Sequence, residues 1–352
     1  MKTIEEINIR NRRIILRAGF NVPLDETGNI LDDTRLRAGA ETIDFIMKKK
    51  PKMLLVVSHL GRPGGKIVPR LSLRILVPKL EDILQRRVVL VEKLERLRAI
   101  RQAGVYDSEA IYLLENIRFW PAEKENDEVF AEDLAQGFGV YVNDAFSVAH
   151  REHASVVALP KFTKDKVAGL LFFKEYENLS KVKDRPKKPA VAIIGGAKIA
   201  TKLPVVSYLA KKYSRVLVGG KVANEALDEK LSLPENVFLP VDFSPAEEAE
   251  KRLDIGPLTV DVFRREIEKA RTIVWNGPLG KFEEEKASNG TKNIIRFIEE
   301  NEKAFSLIGG GETLEAVKMF GHPENYSYIS QAGGAMLEFL AGKKLPGIEA
   351  LG

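Results

Sequence analysis

The chain has no cysteine. That absence excludes disulfides, thiolate metal sites and a cysteine nucleophile. Histidine is scarce as well, and the four that exist, His59, His150, His153 and His322, fall at no zinc-ligand spacing. No stretch approaches the roughly 18 uninterrupted apolar residues of a spanning helix. The first twenty residues, MKTIEEINIRNRRIILRAGF, hold no apolar core followed by a small-residue cleavage site. A cytoplasmic protein with no membrane partner is therefore expected. Charge of one sign is lacking too: 55 basic and 50 acidic residues leave a net charge of +5. No basic stripe interleaved with aromatics stands out, so a nucleic-acid partner is not expected. Two common nucleotide signatures are missing, since no GxxxxGK[ST] occurs and no GxGxxG follows a candidate strand.

What is there reads as a globular protein of about two domains, with 352 residues, 44% hydrophobic and 30% charged. Short apolar runs at 13–18, 53–58, 88–91, 111–114, 140–143, 190–195, 215–219, 237–240, 272–276 and 304–309 are β-branched and do not alternate. Strands buried on both faces read this way, as in a parallel sheet. Helical stretches are expected at 35–50, 73–85, 126–136, 200–212, 260–271, 289–299 and 312–319. The repeated order of strand then helix predicts doubly wound α/β architecture. The series breaks once, where residues 169–183 read as one amphipathic helix and a charged, proline-bearing stretch follows. The expectation is two doubly wound parallel-sheet (Rossmann-like) domains separated by a cleft. The first spans 1–168, the interdomain helix 169–183 and the second domain 184–334.

In such sheets ligands bind beyond the carboxyl ends of the strands. In the first half those positions carry cations: RAGFN at 17–21, SHLGR at 58–62, ENIR at 115–118, and ND at 143–144 leading to His150 and Arg151. Arg35 adds another. An arginine fork suits carboxylate or phosphate. In the second half the same positions are glycine-rich: GGAK at 195–198, GGK at 219–221, WNGPLG at 275–280, GGGET at 309–313 and SQAGG at 330–334. Glycine lets backbone N–H groups approach a phosphate, and the following helix points its positive end there. Lys198 and Lys202 stand four residues apart, on one face of a helix. The residues alone thus predict an anionic substrate on the first domain, a nucleotide on the second, and phosphoryl transfer between them.

These segments also resemble the phosphoglycerate kinase family along nearly the whole chain. The carriers are RAGFNVP (17–23), SHLGRP (58–63), LENIRF (114–119), VNDAF (142–146), AHREHAS (149–155), GGAK (195–198), LPVD (239–242), DIGP (254–257), WNGP (275–278), GGG (309–311) and LPGIEAL (345–351). The resemblance implies transfer of the acyl phosphate of 1,3-bisphosphoglycerate to MgADP, giving 3-phosphoglycerate and MgATP, in a monomer that needs Mg²⁺. It implies a phosphoglycerate cradle of Asn21, Arg35, His59, Arg62, Arg118 and Arg151. Catalytic roles fall to Arg35, Lys202, Gly310 and Gly333. Nucleotide contacts fall to Lys198, Lys202, Asn276, Glu283, Gly310, Gly311, Glu312 and Thr313, with Glu312 toward the metal. A final segment, 335–352, would return to the first domain.

Five departures accompany the resemblance. Gly19 stands where the family has an aspartate that contacts the glycerate hydroxyl, and Glu312 where it has aspartate. Ala200-Thr201-Lys202 replaces Ser-Asp-Lys, and Gln331-Ala332-Gly333-Gly334 replaces Thr-Gly-Gly-Gly, where a Cβ at Ala332 is expected to crowd a backbone that approaches phosphate or adopts positive φ. The stretch from 224 to 253 is short. These departures leave two other readings open at this point: a phosphate- or nucleotide-binding relative with little turnover, and a kinase for another acyl phosphate.

Overall fold

The computed structural model describes every residue except Val105 and Lys198. It divides into two units, one of Met1–Tyr176 with Lys344–Gly352, the other of Glu177–Lys343.

The first unit is built on six parallel strands, β1 (Arg13–Arg17), β2 (Met53–Val57), β3 (Val88–Val91), β4 (Ile111–Leu114), β5 (Val140–Asn143) and β6 (Asp165–Ala168). Their order across the sheet is β3-β4-β2-β1-β5-β6. Every residue of β2, β4 and β5 is buried, which is why these runs do not alternate. Helices α1 (Thr34–Lys48), α2 (Val77–Leu84), α3 (Leu94–Ala103), α4 (Pro121–Lys124) and α5 (Glu128–Ala135) make the connections. Asp127 caps α5, its carboxylate accepting from the Phe130 amide at 2.7 Å. The helix expected from residue 73 begins as a 3₁₀ turn, Leu73–Leu76, and becomes α-helical only at Val77, with Pro78 in its first turn.

Helix α6 (Leu170–Asp184) leads into the second unit. Its sheet holds β7 (Ala190–Ile194), β8 (Arg215–Val218) and β9 (Val237–Phe238). A separate antiparallel pair, β10 (Phe243–Ser244) and β11 (Asp254–Ile255), follows. Strands β12 (Thr272–Asn276), β13 (Phe305–Gly309) and β14 (Tyr328–Ser330) complete the main sheet, in the order β14-β13-β12-β7-β8-β9, all parallel. Helices α7 (Ile199–Ala210), α8 (Gly220–Asp228), α9 (Pro257–Lys269), α10 (Asn289–Glu300), α11 (Gly311–Phe320) and α12 (Gly334–Leu340) belong here. The last helix, α13 (Pro346–Glu349), lies in the first unit, where the Gly347 amide donates to the Ala149 carbonyl at 2.8 Å.

Both sheets gain an outer strand beyond those expected. Strand β6 reads Asp-Lys-Val-Ala, and its first half is not buried. Strand β14 has only three residues. Edge strands need less apolar sequence, so neither leaves the run that marks a central strand.

Helix α6 begins in one unit and ends in the other. At its start Asp144 Oδ1 accepts from the amides of Leu171 (2.9 Å) and Phe172 (3.2 Å). Burial pushes the Asp144 carboxyl up to about 7, against its hydrogen bonds. A folded carboxyl with a raised pKa binds more protons than the unfolded chain, so this group favours folding at low pH and loses that contribution as pH rises through 7. Asp144→Asn, which keeps an acceptor oxygen, should flatten the decline in stability between pH 4 and pH 8. Denaturation midpoints across that range would show it, and an undiminished slope would assign the dependence elsewhere.

Candidate active site

In the first sheet β1 lies between β2 and β5. The chain leaves β1 for β2 on one side and later crosses from β4 to β5 on the other, which makes the carboxyl end of β1 a topological switch point. The cations gather there. Arg17 ends β1 and is fully buried. Its Nε donates to Ser155 Oγ at 3.0 Å, and one terminal nitrogen lies 2.8 Å from His59 Nδ1. Guanidinium only donates, so His59 Nδ1 must accept. The His59 proton is therefore on Nε2, which is left as a donor. Burial first, then Arg17, Arg118, His153 and Arg35, hold the His59 pKa well below its ordinary value, so the ring is neutral.

The charge of Arg17 is answered through Ser155. That residue donates from Oγ (2.7 Å) and from its amide (2.8 Å) to Glu123, which is also fully buried. Sequence reading named neither Glu123 nor Ser155 as site partners. A glutamate in the short helix after ENIRF gives no signal without the contact to Ser155 some thirty residues on.

The remaining cradle residues are braced by backbone. Arg35, in the first turn of α1, donates to the Asn21 carbonyl at 2.9 Å, and Asn21 Oδ1 accepts from the Gly61 amide at 2.7 Å. Arg118 donates to the Gly61 carbonyl at 2.9 Å, and its buried Nε has no protein partner. Burial pushes Arg118 down to about 10; Arg17, Arg151 and Arg62 push the same way, opposed by Glu123. Four arginines thus crowd one another with a single buried acid close by, and an anion would relieve them. Arg62 and Arg151 are exposed. Glu115 and Asn116 of the same motif are structural. Glu115 accepts from Ser72 Oγ and the Leu73 amide, and the Asn116 amide group donates to the carbonyls of Leu60 and Leu71.

In the second sheet β7 lies between β8 and β12, giving the same kind of switch point. The loops after β7 and β12 are laced together. The Gly195 amide donates to the Asn276 carbonyl (3.0 Å) and the Gly196 amide to the Pro278 carbonyl (2.7 Å). Lys202, on α7, is buried and donates to the carbonyls of Gly195 and Asn276. Burial pushes its ammonium down to about 8, with Glu312 holding it up. Asn276 Nδ2 donates to the Gly309 carbonyl at 2.6 Å. Thr313 is buried, and its Oγ1 accepts from the Gly277 amide at 2.7 Å. Gly310 caps α11 with φ 105°, and Gly311 begins that helix beside the exposed Glu312. Glu283 and Glu312 line one groove of about 300 Å³ with Gly196, Gly220, Lys221 and Pro278. Lys198 lies outside the described residues.

One expectation is corrected. The positive φ falls on Gly333 (53°), not on Ala332, which is buried with its amide donating to Ser330 Oγ at 3.2 Å. The alanine is therefore not at a position that asks for positive φ.

Lys202 also sets a pH limb. A lysine with a depressed folded pKa loses its charge above about pH 8. If its ammonium is needed, kcat/KM should fall as pH rises through 8, and Lys202→Gln should lack that limb. A bound phosphate would hold the proton on, so the limb in kcat should lie at higher pH. Identical limbs in parent and variant would assign the titration to another group.

A rim of arginines on one doubly wound unit and a rim of glycine loops with a buried lysine on the other are the equipment of a phosphotransferase, which has charge to position and neutralise. Comparison with known proteins makes this specific. The family model described as Phosphoglycerate kinase matches residues 4–232 and 228–343. The chain is 37% identical to a phosphoglycerate kinase of Koribacter versatilis over 397 aligned positions, covering 99% of this chain and 98% of the relative. It is 38% identical to that of Helicobacter pylori strain J99, covering 100% and 96%. The solved phosphoglycerate kinase of Coxiella burnetii superposes with a TM-score of 0.87 at 33% identity, covering 99% of this chain and 98% of that one. That of Pyrococcus horikoshii gives 0.83 at 28%, covering 100% and 98%. The chain belongs to the phosphoglycerate kinase family. The Koribacter alignment runs to 397 positions against 352 residues here, so that relative carries material this chain lacks.

Proposed function

We propose that the chain catalyses reversible phosphoryl transfer between MgATP and the carboxylate of 3-phosphoglycerate. A carboxylate oxygen attacks the γ-phosphorus while the bond to the ADP oxygen breaks, and the acyl phosphate forms. The observation that carries this reading is the surroundings of Arg118, where burial first, and then Arg17, Arg151 and Arg62, press on a cation whose buried Nε has no protein partner. Such a site is stabilised by a small polyanion. Asn21, Arg35, His59, Arg62, Arg118 and Arg151 hold the acid in this account, and His59 offers its Nε2 proton.

The nucleotide phosphates lie on the amides of Gly310, Gly311 and Thr313, at the start of the ten-residue helix α11. Asn276 holds the Gly309 carbonyl, shaping that loop. Glu283 faces the groove where a ribose would lie. Lys202 supplies charge to the transferring group, and Arg35, Gly310 and Gly333 complete the catalytic set. Lys198 adds a nucleotide contact. Mg²⁺ fits the residues present: no group of three or more ligating side chains occurs among the described residues, and Glu312 is one exposed carboxylate. Magnesium commonly takes one or two carboxylates and fills its shell with substrate phosphates and water. It would neutralise phosphate charge there.

The first domain is read as 1–168, the connecting helix as 169–183, the second domain as 184–334 and the returning segment as 335–352; within that segment helix α12 belongs to the second unit and Lys344–Gly352 to the first. A monomer suits this division, since each unit carries its own rim.

Calorimetry tests the division of labour. The parent should bind both 3-phosphoglycerate and MgADP. Arg118→Ala should weaken 3-phosphoglycerate binding tenfold or more, on the order of 1.5–3 kcal/mol for a charged hydrogen bond, and leave MgADP alone. Equal loss of both ligands would refute separate sites.

A further inference from the structure

Asp254, the first residue of β11, is buried, and its carboxylate has no ion-pair partner among the described residues. Burying such a group is costly unless hydrogen bonds offset the loss of water. Its two oxygens divide that task. Oδ1 accepts from the Ile255 amide at 2.9 Å, and Oδ2 accepts from the Gly290 amide at 2.7 Å. Gly290 is the second residue of α10. The residue before that helix, Ser288, gives it no side-chain cap, because its hydroxyl donates to the Glu285 carbonyl at 2.8 Å. An acid 36 positions away in the chain therefore caps α10 and meets the positive end of its dipole.

A third segment closes on the same carboxylate. A Cβ on Gly280 would collide with Asp254 Oδ1, and so would a Cβ on Gly290. Neither glycine has a positive φ, so close approach is what asks for glycine at both. Next to Gly280, the Lys281 amide donates to the Leu253 carbonyl at 2.9 Å, and Phe282 is buried in the core. Asp254 thus joins three segments: 253–255, 280–283 and the start of α10. The first two supply Leu253, Gly280, Lys281 and Glu283 to the groove of about 300 Å³, which Asp254 itself does not line. If packing alone were at stake, an apolar side chain would serve there without the desolvation cost.

We infer that Asp254 is a positioning residue for the nucleotide: by holding Gly280 and Gly290 against β11 it sets where Leu253 and Glu283 meet the nucleoside. This rests on the reading that the groove takes the nucleotide. Both carboxylate oxygens accept, so the amide cannot replace them. In Asp254→Asn an N–H would face the amide of Ile255 or of Gly290, and one contact would be lost. The tie between β11, the loop and α10 then loosens, and Glu283 moves with the loop. The phosphate rim is held separately, through Asn276 to Gly309 and Thr313 to Gly277. The arginine rim is in the other unit. Nucleotide binding is therefore the step that the change reaches.

The test is Asp254→Asn, which keeps the size of the side chain. Calorimetry should show MgADP binding weakened about tenfold, the effect of losing one charge-assisted hydrogen bond, and the KM for MgATP should rise to match. The KM for 3-phosphoglycerate and kcat at saturating MgATP should not change. A folded variant with the parent's MgADP affinity, whatever its melting midpoint, would make Asp254 a structural residue only and overturn the inference. An equal rise in both KM values would overturn it as well. If the variant does not fold, the parent decides. MgADP should slow hydrogen exchange at the Ile255 and Gly290 amides, because coupling between ligand and brace is reciprocal. Unchanged exchange with MgADP bound would refute the coupling. A parent that binds no MgADP overturns the nucleotide reading, and the inference with it.

Discussion

Lys202→Ala is expected to lower kcat by about a thousandfold or more while moving the KM for 3-phosphoglycerate by less than about threefold. Groups aimed at charge that develops in a transition state are worth about 10²–10³ in kcat for an oxyanion donor, and about 10³–10⁵ for a cation on a transferring phosphoryl group. Lys202 has the features of such a group. It is buried, and it is held by the carbonyls of Gly195 and Asn276, which come from the two strands that flank the switch point. An ammonium pushed down to about 8 by burial is under-solvated, so it gains most when negative charge arrives. The arginine rim is in the other unit. Steady-state kinetics in both substrates, with MgADP calorimetry as a check on folding, would measure the split. A variant with the parent's kcat would remove Lys202 from the mechanism.

Arg17→Met should destabilise the first unit by about 3–5 kcal/mol, the usual cost of leaving a buried charge without its partner. Glu123 would keep its two hydrogen bonds from Ser155, His153 Nδ1 at 3.6 Å and the field of Arg118, but lose the guanidinium that Ser155 relays to it. His59 would lose the donor that fixes its tautomer, so acid binding should weaken as well. Adding Glu123→Gln removes the stranded charge and should restore a large part of the stability. It should not restore acid binding, because the His59 proton stays unfixed. Denaturation midpoints and 3-phosphoglycerate affinity, measured on the single and double variants, separate the two effects. A double variant no more stable than Arg17→Met would show that Glu123 and Arg17 do not answer each other.

Much of this was legible before the structure because the sheets are parallel and buried. Runs such as MLLVV at 53–57 and AVAII at 190–194 have nowhere else to go, and the polar residues after each mark the rims. The edge strands β6 and β14 were missed because a strand with one protected side needs little apolar sequence. The antiparallel pair β10 and β11 has two residues per strand, too short for any period. Helix α3 escaped because Leu94 and Leu97 are its only buried apolar residues.

The site divides the same way. Arg35, Arg118, His59 and Lys202 announce themselves by position after a strand or at a helix start. Their supports do not. Glu123 and Ser155 are ordinary residues in the sequence, and their roles come from contacts between segments far apart in the chain. Asp254 is similar. It looks like one more surface acid, yet it is buried and accepts from the amides of Ile255 and Gly290, with burial pushing its carboxyl up to about 7. Its carboxylate fills the space beside Gly280, where a Cβ would collide with it, and so it braces the loop that follows Asn276.

The most direct test of the account is phosphorylation of 3-phosphoglycerate by MgATP with purified chain, trapping the acyl phosphate with hydroxylamine and following ADP. The account predicts hydroxamate and ADP formed in equal amounts, with saturation in both substrates. ADP release that is independent of 3-phosphoglycerate, or no reaction while both ligands bind, would contradict it.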